Sequence, residues 1–154
     1  MNHRGSATAS NDNIGVDFLL DNLWLALIYI ERIDMQKINL AEAFGRFHDH
    51  WSPKVAGELN DSMVKLVKVS GKFHWHHHEN EDELFLVVSG RLRMGLRTGD
   101  IDLEPGEFII VPKGTEHCPE ALTDECSLIL LEPKSTLNTG NVVNERTVRD
   151  LDRL

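Results

Sequence analysis

Cysteine is scarce in this sequence of 154 residues: only Cys118 and Cys126 are present. Two thiols do not make a disulfide framework, which points to a reducing cytoplasm, although a bridge stays open if the two lie on neighbouring strands. Positive charge is also short. Sixteen Lys and Arg face 25 Asp and Glu, for a net charge of −9. That balance argues against nucleic acid, whose phosphates need a basic face, and against an anionic membrane surface. Phe18 to Ile30 (FLLDNLWLALIYI) is strongly apolar. It falls short of the roughly 20 residues that span a bilayer, and Asp21 and Asn22 interrupt it. Asp17 before it and Glu31 after it do not fit a secretory signal. There is no G-x-S-x-G elbow, no phosphate loop, no dinucleotide fingerprint and no C-x-x-C.

The length suits one domain with a real core. Residues 1–13 are small and polar, and residues 1–34 read as an N-terminal extension, partly disordered. Its apolar run fits a helix or strand docked on the domain or on a partner subunit. A start at Met35 is equally consistent. Residues 35–154 then form a single domain with a polar tail from Lys134 that wraps the surface. Leu40 to Phe47 reads as a short helix and Lys54 to Leu59 as an edge strand.

From Ser62 onward, short apolar runs are punctuated by Gly, Pro and Asp. Leu84 to Val88 (LFLVV) is apolar on both faces, which predicts cover on both sides by a second sheet or another subunit. Arg91 to Arg97 alternates, with Leu92, Met94 and Leu96 on one face, as a half-buried strand does. Phe108 to Val111 (FIIV) reads as a buried strand closed by Pro112-Lys113-Gly114, and Ser127 to Leu131 as another closed by Pro133. Short strands with turn signals at this spacing predict an all-β antiparallel sandwich or barrel, with a short helical N-terminal segment. Arg91, Arg93 and Arg97 read as a solvated outer face. Trp75 and the second face of LFLVV suggest a homodimer.

The richest stretch is FHWHHHENEDE, residues 73 to 83, with four histidines and four carboxylates. Side chains two apart in a strand share a face, so His76 and His78 point together and Trp75 and His77 point away. Glu83 follows after the polar connection Glu79-Asn80-Glu81-Asp82. A hairpin there returns its carboxylate beside the two imidazoles, a donor set suited to a divalent transition metal. His117 follows the tight turn at Pro112-Lys113-Gly114, where a strand re-enters the sheet. His74 shares the parity of His76, about 7 Å away at ~3.3 Å per residue. That predicts a side chain directed into the same cavity, suited to proton transfer as a catalytic residue. His77, Glu79, Glu81 and Asp82 read as solvated, and Cys118 as directed away from the metal. His48 and His50 lie in a polar stretch upstream.

The pattern His76-x-His78-x4-Glu83-x6-Gly90, followed by Gly106-x5-Pro112-x-Gly114-x2-His117, resembles the two signature motifs of the cupin superfamily. The resemblance covers about residues 55 to 132. It implies a double-stranded β-helix, or jelly-roll barrel. It further implies one metal inside the barrel, held by the residues matching His76, His78 and Glu83, with His117 as fourth ligand. Two details depart from the pattern: four residues rather than five separate Gly71 from His76, and Ala121 stands where asparagine is frequent. Neither removes a ligand.

Zinc would make a closed tetrahedral site, whereas six-coordinate iron, manganese, nickel or cobalt would keep two positions open. The open type is common in the family. It favours a metal-dependent enzyme acting on a small oxygen-bearing molecule, dioxygenase-like ahead of sugar isomerase-like. A non-catalytic binding module and a structural barrel are the alternatives.

Overall fold

The structure, a computed structural model, describes Met1 and residues 36–154. The expectations for the extension, its apolar run and a start at Met35 fall on residues outside that range. Residues Ile38–Leu154 form one compact unit. A short helix, α1 (Leu40–Phe44), precedes eight strands: β1 (Lys54–Leu59), β2 (Ser62–Val69), β3 (Glu83–Ser89), β4 (Leu92–Leu96), β5 (Ile101–Leu103), β6 (Phe108–Val111), β7 (His117–Ala121) and β8 (Cys126–Pro133). They build a five-stranded sheet in the order β1-β2-β8-β3-β6 and a three-stranded sheet in the order β5-β4-β7. Every strand pair is antiparallel. The architecture is all-β and antiparallel, as the spacing of strands and turns predicts, and it is the jelly-roll barrel that the resemblance implies.

Period-two alternation decides which side chains enter the barrel. Val67, Val69, Phe85, Val87 and Leu128 from the larger sheet meet Leu92, Met94, Leu103 and Ala121 from the smaller one in a single buried cluster. Cys126 and Cys118 are both buried and both free; they belong to different sheets. The arginines at 91, 93 and 97 stay on the surface, paired with Glu104, Asp102 and Glu116. Trp75 is not a bare apolar surface, since the Arg97 guanidinium lies 3.8 Å from its ring centroid.

The outer face of the larger sheet explains why LFLVV is apolar on both sides. A helix of this length is not stable alone, and α1 is held by packing. Asn39 caps it, its Oδ1 accepting from the Glu42 amide at 3.2 Å. Ala43, Phe44 and Phe47 cluster with Leu66, and Val88 and Ile129 pack beside them. The helix ends at Phe44, so Phe47, expected within it, packs from the irregular chain after the turn at Gly45 and Arg46. The expectation of a fully buried FIIV strand is not met. Val111 is buried, but Phe108 is 58% and Ile110 54% exposed. β6 is an edge strand, and these two residues are not part of the cluster around α1. No helix among the described residues is long and apolar enough to cross a membrane.

Gly90 and Gly114 share a left-handed backbone, φ +78° and +76°. A Cβ on Gly90 would lie 2.4 Å from the Glu125 carbonyl oxygen, whereas one on Gly114 meets nothing within 4 Å. Gly90→Ala is therefore expected to destabilise the fold by about 2 kcal/mol or more beyond the backbone strain that both substitutions cause. Urea denaturation of the two variants measures the difference. Equal losses would contradict the packing described at Gly90.

Candidate metal centre

Residues 72–78 run antiparallel beside β7 without forming a regular strand. Lys72 bridges Glu120 and His76 bridges His117. Four steps on one side therefore match three on the other, which is a one-residue bulge. Backbone bonds pin both ends: Phe73 N to Pro119 O at 2.9 Å, and the His76–His117 pair exchanging bonds of 3.1 and 2.9 Å. Past the bulge, His76 and His78 are buried and Trp75 and His77 half-buried, the alternation expected of them. Gly114 N donates to His78 O at 2.7 Å, which ties the turn before His117 to the histidine segment. Glu83 opens β3 opposite Val111 and His117 opens β7.

His76, His78, Glu83 and His117 are all buried, and one ligand atom from each lies within 4.8 Å of the others. Glu83 Oε2 is 3.1 Å from His78 Nε2 and 3.6 Å from His117 Nε2. His76 Nδ1 lies 3.1 Å from the His74 carbonyl oxygen and His117 Nδ1 3.0 Å from that of Thr115. A carbonyl only accepts, so each Nδ1 carries the proton and each Nε2 turns a lone pair to the centre. His78 Nε2, Glu83 Oε2 and His117 Nε2 are buried and lack a hydrogen-bond partner. The 3.1 Å approach of His78 to Glu83 has the distance of a hydrogen bond but not its geometry. Buried polar atoms left this way cost about 1–3 kcal/mol each. A divalent transition metal satisfies all of them, and the donor set of three imidazoles and one carboxylate fits such an ion.

Electrostatics favour the metal-binding protonation state. Burial, then the neighbouring His117, push His76 down to about 3. Burial acts to raise the Glu83 carboxyl, but its contacts with His117 and His78 outweigh this and hold it at about 2. His76 is neutral and Glu83 ionised at neutral pH, as ligation requires.

The centre opens onto a narrow cavity of about 30 Å³, whose wall includes Trp51, Val67, Phe73, Pro119 and Leu128 beside His76 and Glu83. Trp51 and Phe73 stack with ring centroids 4.5 Å apart. His74, expected to point into this space, is not on its wall. Phe73 is, because the bulge reverses the parity that an unbroken strand would have kept. The His74 ring lies against Phe73 at 4.0 Å, with its Nδ1 3.3 Å from Asn144 Nδ2 in the C-terminal tail. Burial, then the charge of Arg146, lower its pKa. His77, Glu79, Glu81 and Asp82 lie outside the group of four donors, and Cys118 turns its thiol to the Phe73 carbonyl at 3.5 Å.

The tail does more than wrap the surface. Asn141 bonds both backbone groups of His77, each at 3.0 Å. Gly140 lies so close that a Cβ there would come 2.2 Å from the His77 oxygen. A second feature escaped sequence reading: Lys65 Nζ and Glu132 Oε1 form a 2.7 Å ion pair with side chains 1% and 0% exposed. Burial, then the nearby Glu83 charge, push the Glu132 carboxyl upward against the pull of Lys65. Lys65 and Glu132 occupy alternate positions among apolar neighbours, which was a cue to an inward direction.

The Cupin domain family model matches residues 63–132. The solved structure of a cupin-2 domain containing protein from Shewanella frigidimarina NCIMB 400 is 45% identical, with a TM-score of 0.61, and the match covers 63% of this chain and 94% of that one. The chain belongs to the cupin superfamily. Among curated relatives, this cupin is 38% identical over 61 residues to the uncharacterized protein YdbB of Bacillus subtilis (strain 168), covering 39% of this chain and 54% of that protein. It is 33% identical over 64 residues to acireductone dioxygenase of Bacillus mycoides (strain KBAB4), covering 38% of each. The cupin thus spans about half, or less, of the length of these two relatives.

Removing one partner of the buried ion pair leaves the other charge uncompensated. Lys65→Met is expected to cost about 3–5 kcal/mol, and Lys65→Met with Glu132→Leu distinctly less. Chemical denaturation of both variants checks this, and a double variant no better than the single one would contradict it.

Proposed function

We propose that this cupin binds one divalent transition metal through His76, His78, Glu83 and His117 and oxidises a small oxygen-bearing molecule with dioxygen. The observation that carries the metal is the set of three buried donor atoms without hydrogen-bond partners, close around one point. The centre adjoins an apolar-walled cavity rather than being sealed off by protein on every side. The similarity to acireductone dioxygenase supports oxygen chemistry ahead of isomerisation. Among the described residues no Lys or Arg lies on the cavity wall, which does not favour a sugar phosphate.

When bound, the metal supplies Lewis-acid polarisation and, if redox-active, a path for electrons to dioxygen. The protein residues do the rest. His76 and His117 are oriented through the carbonyls of His74 and Thr115, so the donors need not reorganise when a ligand arrives. Glu83 contributes a single negative charge, which leaves a divalent centre with net positive charge to attract oxygen donors. Trp51, Phe73, Val67 and Leu128 exclude bulk water from the open side and offer flat apolar walls to the ligand's carbon frame. His74 acts through its backbone carbonyl on His76 and is a positioning residue in this reading.

Elemental analysis tests the ligand set: His76→Ala and Glu83→Ala should lose stoichiometric metal, whereas His74→Ala, which keeps its carbonyl, should retain it. Full metal in either of the first two variants would remove the assignment. Oxygen uptake by the iron-loaded wild type with small enediols, catechols and keto acids tests the reaction. No uptake with any of them would turn the reading to a binding module.

A further inference from the structure

Room beside the four-donor centre is short. The cavity of about 30 Å³ holds water, which takes about 10–15 Å³ a molecule. A site for a small organic molecule is about 300–1,000 Å³. An organic ligand therefore reaches the centre through this cavity only if part of the wall moves. Among the described residues that line it, all are buried except Trp51 and Asn138, which are half-buried. Val67 and Val69 of β2, Phe85 of β3, and Leu128 and Leu130 of β8 cannot leave without parting the barrel. The wall meets solvent at Trp51 and Asn138.

These two differ in what holds them. Asn138 is fixed at both ends of its amide: Nδ2 donates to the Arg146 carbonyl at 2.8 Å, and Oδ1 accepts from the Val148 amide at 2.9 Å. The Trp51 side chain makes one hydrogen bond, from Nε1 to the Ser70 carbonyl at 3.0 Å. Its ring stacks on Phe73 and faces the Arg146 guanidinium at 5.7 Å. The backbone is a second distinction. Trp51 lies in no helix or strand and has φ +59°, the left-handed region that a bulky side chain rarely adopts. Its amide, bonded to the Lys68 carbonyl at 2.8 Å, holds it there. Among the described residues Asn60 alone shares a positive φ without being glycine, in the β1–β2 turn where asparagine tolerates it. Strain of the Trp51 kind persists where the surroundings impose it, and it concentrates at ligand clamps and switch regions.

We propose that Trp51 is the removable wall of the cavity and determines the size of ligand that reaches the four-donor centre. With the indole in place, there is room for water or a molecule little larger. When the side chain swings outward, its ring vacates the wall between cavity and solvent, and a larger ligand gains a path to His76 and Glu83. That motion breaks one hydrogen bond and the ring contacts and parts no strand. Trp51 is thus a specificity-determining residue. What lies beyond it rests on the metal reading above.

Azide and benzohydroxamate test this on cobalt-loaded protein, because both ligate the metal and they differ in bulk. Stopped-flow absorption of the cobalt follows their association. A wall open roughly 0.1–10% of the time slows a bulky ligand about tenfold or more. Trp51→Ala should therefore speed benzohydroxamate at least about tenfold, change azide less than about threefold and keep the cobalt, with Trp51→Phe in between. An unchanged benzohydroxamate rate in Trp51→Ala, equal acceleration of both ligands, or no benzohydroxamate binding to either protein would overturn the proposal. A protein that takes up no cobalt would instead overturn the metal reading. Access is then read on the metal-free protein with diethyl pyrocarbonate, which acylates neutral imidazole. His76 lies on the cavity wall, and its modification, mapped by mass spectrometry, should be at least about tenfold faster in Trp51→Ala. Cys118 and Cys126, both buried, should stay closed to a thiol reagent, which shows that the variant is folded. If they react, Trp51→Phe takes its place, and its smaller ring should still speed His76. Equal His76 rates in wild type and folded variant would sink the idea.

Discussion

Polar atoms buried in a protein need partners, and this barrel buries a group that cannot satisfy one another. Three imidazoles and a carboxylate meet inside it, and their Nδ1 atoms, where bonded, face carbonyls that fix the rings. Turning the rings would break those bonds. The free lone pairs therefore converge on one point, and an ion there removes a penalty the fold would otherwise carry. The features around the centre follow from holding it: the bulge that sets His76 opposite His117, the turn at Gly114, and the tail pressed on the His77 backbone.

Charge is managed in the same restricted space. Glu83 and Glu132 are both buried in the larger sheet, on adjacent strands, and Lys65 neutralises the second of them. A buried ion pair of this kind is weak evidence for stability. Here it separates the work of the two carboxylates: one is committed to Lys65, and the other is left for the centre. The aromatic wall of Trp51 and Phe73 then divides the apolar cavity from the polar tail that carries Arg146.

Much of this was legible in the sequence. Period-two alternation marked the strand at Leu92–Leu96, and Gly and Pro marked the turns that close the hairpins. Spacing grouped His76, His78 and Glu83, the cupin resemblance added His117, and the four side chains do lie together, each at or next to a point where the register is pinned. Four things were not legible. An unpaired extra residue leaves no mark in composition, so the bulge at Phe73–His76 was invisible and the orientation of His74 was misjudged. Lys65 and Glu132 are far apart in sequence, and each taken singly reads as a surface charge. FIIV is apolar throughout, yet its place at the sheet edge exposes Phe108 and Ile110. The tail reads as polar surface until its asparagines are seen bonding His77 and the Arg146 backbone.

The most direct measurement is X-ray absorption spectroscopy of the protein loaded with iron or nickel. An open centre at these four residues predicts about six-coordination, with three imidazole signatures, one carboxylate oxygen and two further oxygens that exchange with added ligand. A four-coordinate spectrum that no small ligand perturbs would contradict the account, as would one with fewer than three imidazoles.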